Sequence, residues 1–468
     1  MDATIPRPLA PSPVSALRRG ACPSLAAPMA TGDGLLVRLR PVGGALSMRE
    51  VQALASAAAR YGNGRLDVTA RGNLQVRGLR DETVAPFAAA LAEAGTVVES
   101  GTAVEVPPLA GLDRTEYADP RPLAAQLRAL AKEHVLAPKF TVIVDGGGQL
   151  SLAGQSADLR FNALDQTRWR LALGGSVMRA AEVATVEASA ISEAGRLIFA
   201  ALAARGPSAR GRDLDPGLLR TLLLDNGLAE AGPVRAAKAF DRLGEAHISL
   251  APIGHLDIPG CPVLGVAPAF GQVRAEGLET LAEAAEACGA DALRPAPGRA
   301  LLFTGMSSDA ITALAERAVS LGFSADPADP VHRIAACTGR VGCASGGLDT
   351  QGAARRLLAA APSLFDGSVD LHLSGCQKGC AHPASATLVL VATPSGPGLV
   401  VGGTASSLPL AYQDEAGLGA AASALARLVE VEKQVGESVA ACLKRLDPAQ
   451  IAAVFSRGAS ASGPPRQD

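Results

Sequence analysis

The chain has 468 residues, room for about three domains. Hydrophobic residues make up 48% and charged residues 19%, a globular rather than a disordered balance. With 43 Lys+Arg against 45 Asp+Glu the net charge is −2, and only 3% of residues are aromatic. That argues against a basic nucleic-acid or membrane-surface binder and against base-stacking platforms.

The first thirty residues are rich in Pro and Ala. Pro6, Pro8, Pro11 and Pro13 interrupt any apolar leader core, so the segment reads as a tail rather than a secretory signal. A cytoplasmic location is the expectation. There the eight cysteines stay reduced, which favours metal or catalytic roles over disulfides. The longest run without a formal charge, Gly379 to Gln413, is broken by the turn-forming Pro394–Gly398 cluster and reads as two strands, not a membrane span.

In chain order, Leu35–Arg40 is a strand-like run. Met48–Arg60 has helical spacing, with Val51, Leu54, Ala55 and Ala58 on one face. A second strand is expected from Leu66 to Val76, ending at Gly78. Arg71 and Arg77, six apart, would share its face. Lys139–Val144, the Gly146–Gly148 turn and Leu150–Leu152 read as a hairpin. The opening pattern then returns: a strand at Val263–Pro268, a helix at Glu276–Cys288, a strand at Leu301–Phe303 and Gly305. This repeat of strand, helix, strand and Gly suggests duplication. Asp326–Pro330 reads as a linker.

Four cysteines fall in the second half. Cys337 and Cys343 are separated by five residues, and Cys376 and Cys380 by three; a helix-like run, Gln351–Ala361, lies between the pairs. Each pair follows a strand, Arg333–Ala336 or Asp370–Ser374, so neighbouring strands would bring the thiols together. Gly339, Gly342, Gly375 and Gly379 allow close backbone approach. Zinc sites favour two to four residues inside a ligand pair, so the five-residue gap suits an iron–sulfide cubane better. The plain alternative is four small buried residues. Of the remaining four, Cys288 and Cys442 read as helix packing residues.

These pairs resemble the 4Fe-4S signature of the sulfite and nitrite reductase superfamily, in which the fourth cysteine also bridges to sirohaem. Thr69-Ala-Arg71-Gly-Asn73-Leu-Gln75 is similar to that family's Thr-x-Arg…Gln strand, and Pro138-Lys139-Phe140 to its Pro-(Arg/Lys)-Lys-Phe segment. The resemblance runs in order from about residue 31 to about 450. It implies an α+β fold of two pseudo-symmetric halves, each a ferredoxin-like half-domain followed by a larger reductase-type α/β domain. The expected division is a tail at 1–30, a first half-domain at 31–105, a first reductase-like domain at 106–235, a second half-domain at 240–325, a cluster-binding domain at 330–455 and a tail at 456–468.

Within the superfamily, Gly375-Cys376-Gln-Lys378-Gly-Cys380-Ala-His382-Pro383 departs from the reductases' Pro-Asn after the third cysteine and resembles the precorrin-3B synthase family. The opening Cys22-Pro23…Thr31-Gly-Asp-Gly-Leu-Leu-Val-Arg38 is similar to that family's start. The resemblance implies O2-dependent hydroxylation of precorrin-3A at C20 with γ-lactone formation, in aerobic cobalamin biosynthesis. It implies a 4Fe-4S cluster on Cys337, Cys343, Cys376 and Cys380, a mononuclear non-haem iron beside it, and no bound sirohaem.

A polyanionic ring asks for guanidinium and ammonium groups. Arg71, Asn73, Gln75, Arg77 and Lys139 are the expected substrate-binding residues, with Arg38, Arg40, Arg160 and Arg299 as further cations. His382 and Lys378 are the expected catalytic residues; His332 and His372 also lie near the cysteines. Alternation with Leu371 and Leu373 turns His372 away from the core. No dinucleotide fingerprint is present, so an external donor is expected, NADH through a reductase or a ferredoxin. A monomer is expected, with neither nucleic acid nor membrane as partner. The rival readings are a sirohaem sulfite or nitrite reductase and a metal-stabilised scaffold or iron sensor.

Overall fold

The computed structural model describes residues 23–231 and 252–457. Most of both expected tails, Cys22 and the junction near residue 235 lie outside the described residues. No described helix is long and apolar enough to cross a membrane.

The first half opens with β1 (Met29–Thr31), β2 (Gly34–Leu39), α1 (Met48–Tyr61), β3 (Arg65–Val68), β4 (Leu74–Leu79) and α2 (Asp81–Glu93). It continues with β5 (Ala103–Glu105), α3 (Arg121–Ala131), β6 (Thr141–Asp145), β7 (Leu159–Ala163), β8 (Arg168–Leu173), β9 (Ala181–Glu187), α4 (Ile191–Ala204) and α5 (Pro216–Asp225).

The second half repeats the plan with β10 (Gly254–Leu256), β11 (Val263–Pro268), β12 (Gln272–Arg274), α6 (Ala275–Ala287), β13 (Ala292–Ala296), β14 (Ala300–Thr304), α7 (Ser308–Ser320) and β15 (Phe323–Ser324). Then come β16 (Ile334–Ala336), α8 (Thr350–Ala360), β17 (Leu371–Ser374), β18 (Ala386–Thr393), β19 (Gly396–Gly403), β20 (Ala411–Tyr412), α9 (Leu418–Glu432), α10 (Val439–Arg445) and α11 (Pro448–Arg457).

The two large sheets share one topology. Strands β5, β6 and β7 run parallel, as do β16, β17 and β18; an antiparallel hairpin and one further strand complete each sheet. The two half-domain sheets share one core. Val37, Leu54 and Val76 pack in the same cluster as Val266, Leu281 and Phe303. They also exchange edges: β12 pairs with β3, and Leu46 of the first unit exchanges both backbone hydrogen bonds with Leu293 on β13. Helix α1 starts at a capping box, Ser47 with Glu50, and meets α6 through the Gln52–Glu286 and Ser56–Glu279 hydrogen bonds.

The structure differs from the sequence reading in five places. The expected strand from Leu66 to Val76 is a hairpin. Gly72 at φ +75° closes a turn, donating to the Thr69 carbonyl while the Thr69 hydroxyl accepts from Asn73 N–H. Arg71 therefore sits in a turn and Arg77 on β4, so they do not share a strand face. The strand β13 went unread because Pro295 interrupts its pattern; proline is tolerated there because β13 is an edge strand.

Leu150–Leu152 is not a strand and no hairpin follows β6. The Asp145 carboxylate accepts from Gly147 and Leu152 amides, folding the loop back over Ile143, and β7 then pairs parallel with β6. Finally, the first strand begins at Met29, inside the stretch expected to be a tail, because Met29–Thr31 pairs with Gly34–Leu36.

Candidate functional site

Strands β16 and β17 are parallel neighbours, so the loops bearing Cys337 and Cys376 leave the same end of the sheet. The amide of Gly375 donates to Cys337 Sγ at 3.2 Å. Burial pushes the Cys337 thiol up, and the amides of Gly375 and Gly339 act in the opposite sense, favouring the thiolate. A Cβ on Gly375 would lie 3.1 Å from Gly346 Cα and 3.2 Å from Gly339 Cα. Three glycine backbones thus meet in a cradle that a side chain would fill.

The first half holds the second thiol loop in place. A Cβ on Gly32 would fall 2.5 Å from Cys343 Sγ, and Ala344 N–H donates to the Gly32 carbonyl. Gln272 on β12 donates to the Thr338 hydroxyl and accepts from Gln351. Cys376 is half-buried and Cys380 exposed. Among the described residues, no three His, Cys, Asp or Glu side chains meet closely enough to hold a single metal ion. A cubane is anchored by thiolates spread around it, and four cysteines on glycine-rich loops with amides aimed at sulfur suit that group.

Beneath this loop lies His372, fully buried, with neither ring nitrogen hydrogen-bonded. It faces away from the core leucines of its strand, as its alternation implies. It is nonetheless not on the surface, because Gly379 brings the cysteine loop down over it. A Cβ on Gly379 would stand 3.5 Å from His372 Cε1. The His382 ring is 5.8 Å away, centroid to centroid. Burial, with His382 and Arg299 close by, pushes the His372 pKa down to about 4, so the imidazole is neutral at pH 7. Arg299, at φ +67°, donates to the Ala381 carbonyl and ties the second half-domain to this loop. Lys378 is half-buried between Cys376 and Cys380.

The expected substrate residues divide into two groups. Arg71, Asn73, Gln75 and Arg77 belong to the β3–β4 hairpin, whereas exposed Lys139 precedes β6 on another sheet. Arg71 pairs with Glu105 and donates to the Ser156 carbonyl, joining the half-domain to the first large domain. Asn73 is buried. Gln75, with its amide oxygen turned toward Arg38, accepts from that guanidinium at 2.8 and 3.0 Å. Arg77 is held between Asp33 and Asp67 at 2.8 and 3.0 Å, so two carboxylates already face its charge. Arg160 is fully buried, donating to the Leu152 and Gln155 carbonyls.

Beside the Cys343 loop opens a cavity of about 520 Å³ whose polar lining is Asp33, Asn63, Arg65, Arg274, Arg340 and Cys343. Its three arginines lie far apart in the chain and in no motif, so sequence inspection passed over them. Pairing of β12 with β3 is what assembles them.

Residues 27–94 match the nitrite/sulfite reductase ferredoxin-like half domain. A curated precorrin-3B synthase from Sinorhizobium sp. is 45% identical over 455 residues, covering 95% of this chain and 96% of its own length. A ferredoxin–nitrite reductase from Synechococcus elongatus is 27% identical over 77% of each chain. The solved structure of the NirA protein of Mycobacterium tuberculosis has the same fold, with a TM-score of 0.65 at 18% identity, covering 89% of this chain and 84% of that one. By its end-to-end likeness to the Sinorhizobium protein, the chain belongs to the precorrin-3B synthase family of the nitrite/sulfite reductase superfamily.

Proposed function

We propose that the chain hydroxylates precorrin-3A at C20 with O2, closing a γ-lactone from the ring A acetate, in aerobic cobalamin biosynthesis. One oxygen atom enters the product and the other leaves as water, so two electrons and two protons come from an external donor, NADH through a reductase or a ferredoxin. The observation that carries this reading is the 45% identity over nearly the whole of both chains.

Cys337, Cys343, Cys376 and Cys380 are the proposed cluster ligands, and the cluster's contribution is single-electron transfer. Gly375 N–H stabilises thiolate charge at Cys337. Lys378 and His382, on the loop that carries two of the thiols, are the proposed proton-handling residues. Arg71, Asn73, Gln75, Arg77 and Lys139 line the proposed tetrapyrrole-facing side. A mononuclear iron would find two imidazoles, His372 and His382, but no third side-chain ligand among the described residues, so no step is routed through it. The domain boundaries drawn from sequence, a cytoplasmic location and a monomeric state complete the proposal.

The test is anaerobic purification followed by absorption and EPR spectra, then addition of precorrin-3A and reductant under air. Cluster signals without a sirohaem band, and a product one oxygen atom heavier, are expected. A native sirohaem band with no oxygen uptake would overturn the reading in favour of a nitrite or sulfite reductase, the activity class of the more distant relatives.

A further inference from the structure

The strand β12 places Arg274 directly opposite Arg65 in antiparallel register. Like charges facing each other across a strand pair repel, and such an arrangement is stabilised by an anion between them. Arg65 has no ion pair among the described residues. The contact of Arg274 with Glu276 is long, 3.5 Å, and both side chains are solvent-exposed. Across the cavity, Arg340 shares the single carboxylate of Glu415 with Arg356. On the same sheet face Arg77 is matched by Asp33 and Asp67. Asp33 also lines the cavity, and Asp67 lies within electrostatic reach of Arg65, but Arg77 engages both carboxylates directly, which leaves Arg65 and Arg274 the least closely paired of these arginines.

We propose that this cavity is a carboxylate site for the tetrapyrrole substrate, with Arg65 and Arg274 clamping one carboxylate and Arg340 receiving another. The inference rests on the proposed function and specifies where that polyanion is gripped. The volume of about 520 Å³ falls in the range of small-molecule sites, and guanidinium groups pair with carboxylates in two-pronged fashion. The site lies beside Cys343, so a ring held there by its edge is anchored next to the proposed cluster loop. Its arginines come from both halves of the chain, and only the exchanged edge strand brings the first two together.

The experiment is an equilibrium titration of the anaerobically purified holoprotein with uroporphyrin, a stable octacarboxylate tetrapyrrole, at low and high salt. Arg65→Gln with Arg274→Gln should weaken binding by about tenfold or more and flatten its salt dependence. Arg340→Gln, on a separate element, should weaken it less. Unchanged cluster absorption and melting temperature show that each variant is folded, and Arg274→Lys should recover part of the affinity. Wild-type binding with equal affinity in all variants would overturn this site and leave the tetrapyrrole reading standing. No binding by the wild type would overturn both. Unaltered uroporphyrin binding together with slowed reduction by an acidic ferredoxin would also overturn it, reassigning the arginines to donor docking.

Discussion

The two large sheets are built alike and furnished differently. In the first, the loops after β5 and β6 carry Pro107-Pro108 and Gly146-Gly147-Gly148; in the second, the corresponding loops carry Cys337 and Gly375-Cys376. The faces turned away from the helices diverge too. Asp145, Arg160, Asn162 and Arg170 cover the first, and the buried Arg160 guanidinium, lowered to about 10 by burial, donates through both terminal nitrogens to backbone carbonyls and leaves only its Nε without a partner. The second face is apolar, with Val389, Val391 and Val400 around one imidazole, His372, that has no partner. A polar group that is buried and satisfied stabilises; one that is buried and orphaned costs stability and marks a place kept for something else. Sheet topology therefore survives duplication unchanged, while strand-end loops and one sheet face carry the difference in chemistry.

The sharpest break in that comparison is Cys376→Ser. It should abolish the visible cluster absorption, whereas Asp145→Asn at the matching strand end of the first half should leave the absorption intact and only lower the melting temperature. Equal cluster content in both variants would end the assignment of the thiols. Next comes His372→Leu. An apolar residue of similar size removes two unsatisfied nitrogens, so stability should hold or rise by up to about 1 kcal/mol. Tetrapyrrole oxidation should fall by about tenfold, because the imidazole packs beneath the loop that carries Lys378 and His382 and positions the proposed proton-handling residues. Loss of stability with full turnover would make the imidazole merely structural.

Smaller effects separate the loops. Gly339 is at φ +61°, and a Cβ there would lie 2.5 Å from the Leu348 carbonyl oxygen. Gly339→Ala should therefore cost about 2 kcal/mol in denaturant unfolding. A Cβ on Gly147, at φ +81°, would meet the ring of exposed Tyr117. Gly147→Ala should cost about 1 kcal/mol. A reversed order would show that the cysteine loop is the softer of the two.

The smallest effect is one of pH. Burial, with Asp119, Asp113 and Asp145 nearby, raises the Glu116 pKa to about 7. A raised folded-state pKa contributes stability below the unfolded value near 4.5, lost as pH rises through about 7. Glu116→Gln should flatten the melting temperature between pH 5 and 8, an interval set by these two values. A parallel decline in the variant would place the pH dependence elsewhere.

Much of this was readable in one dimension because the signals are local. Helical spacing in Met48–Tyr61 and Ala275–Ala287 and the run Val263–Pro268 mark buried faces that form as the pattern implies. The cysteine spacings with their glycines placed the candidate cluster loops at strand ends. Misreadings arose where a short-range rule met a long-range one. A single glycine turned one expected strand into a hairpin, an edge position excused Pro295, and a carboxylate redirected the loop after Asp145.

The duplicated plan and, through the resemblance its motifs carry, the family were legible in the amino-acid sequence, because periodicity and motif spacing act over a few residues. How the charges are paired depends on tertiary contacts. The tertiary structure neutralised Arg77 with Asp33 and Asp67, buried His372 under Gly379, and set Arg65 against Arg274 by lending β12 to the other half's sheet. Charge compensation and burial depend on neighbours distant in the chain, and no local pattern encodes them.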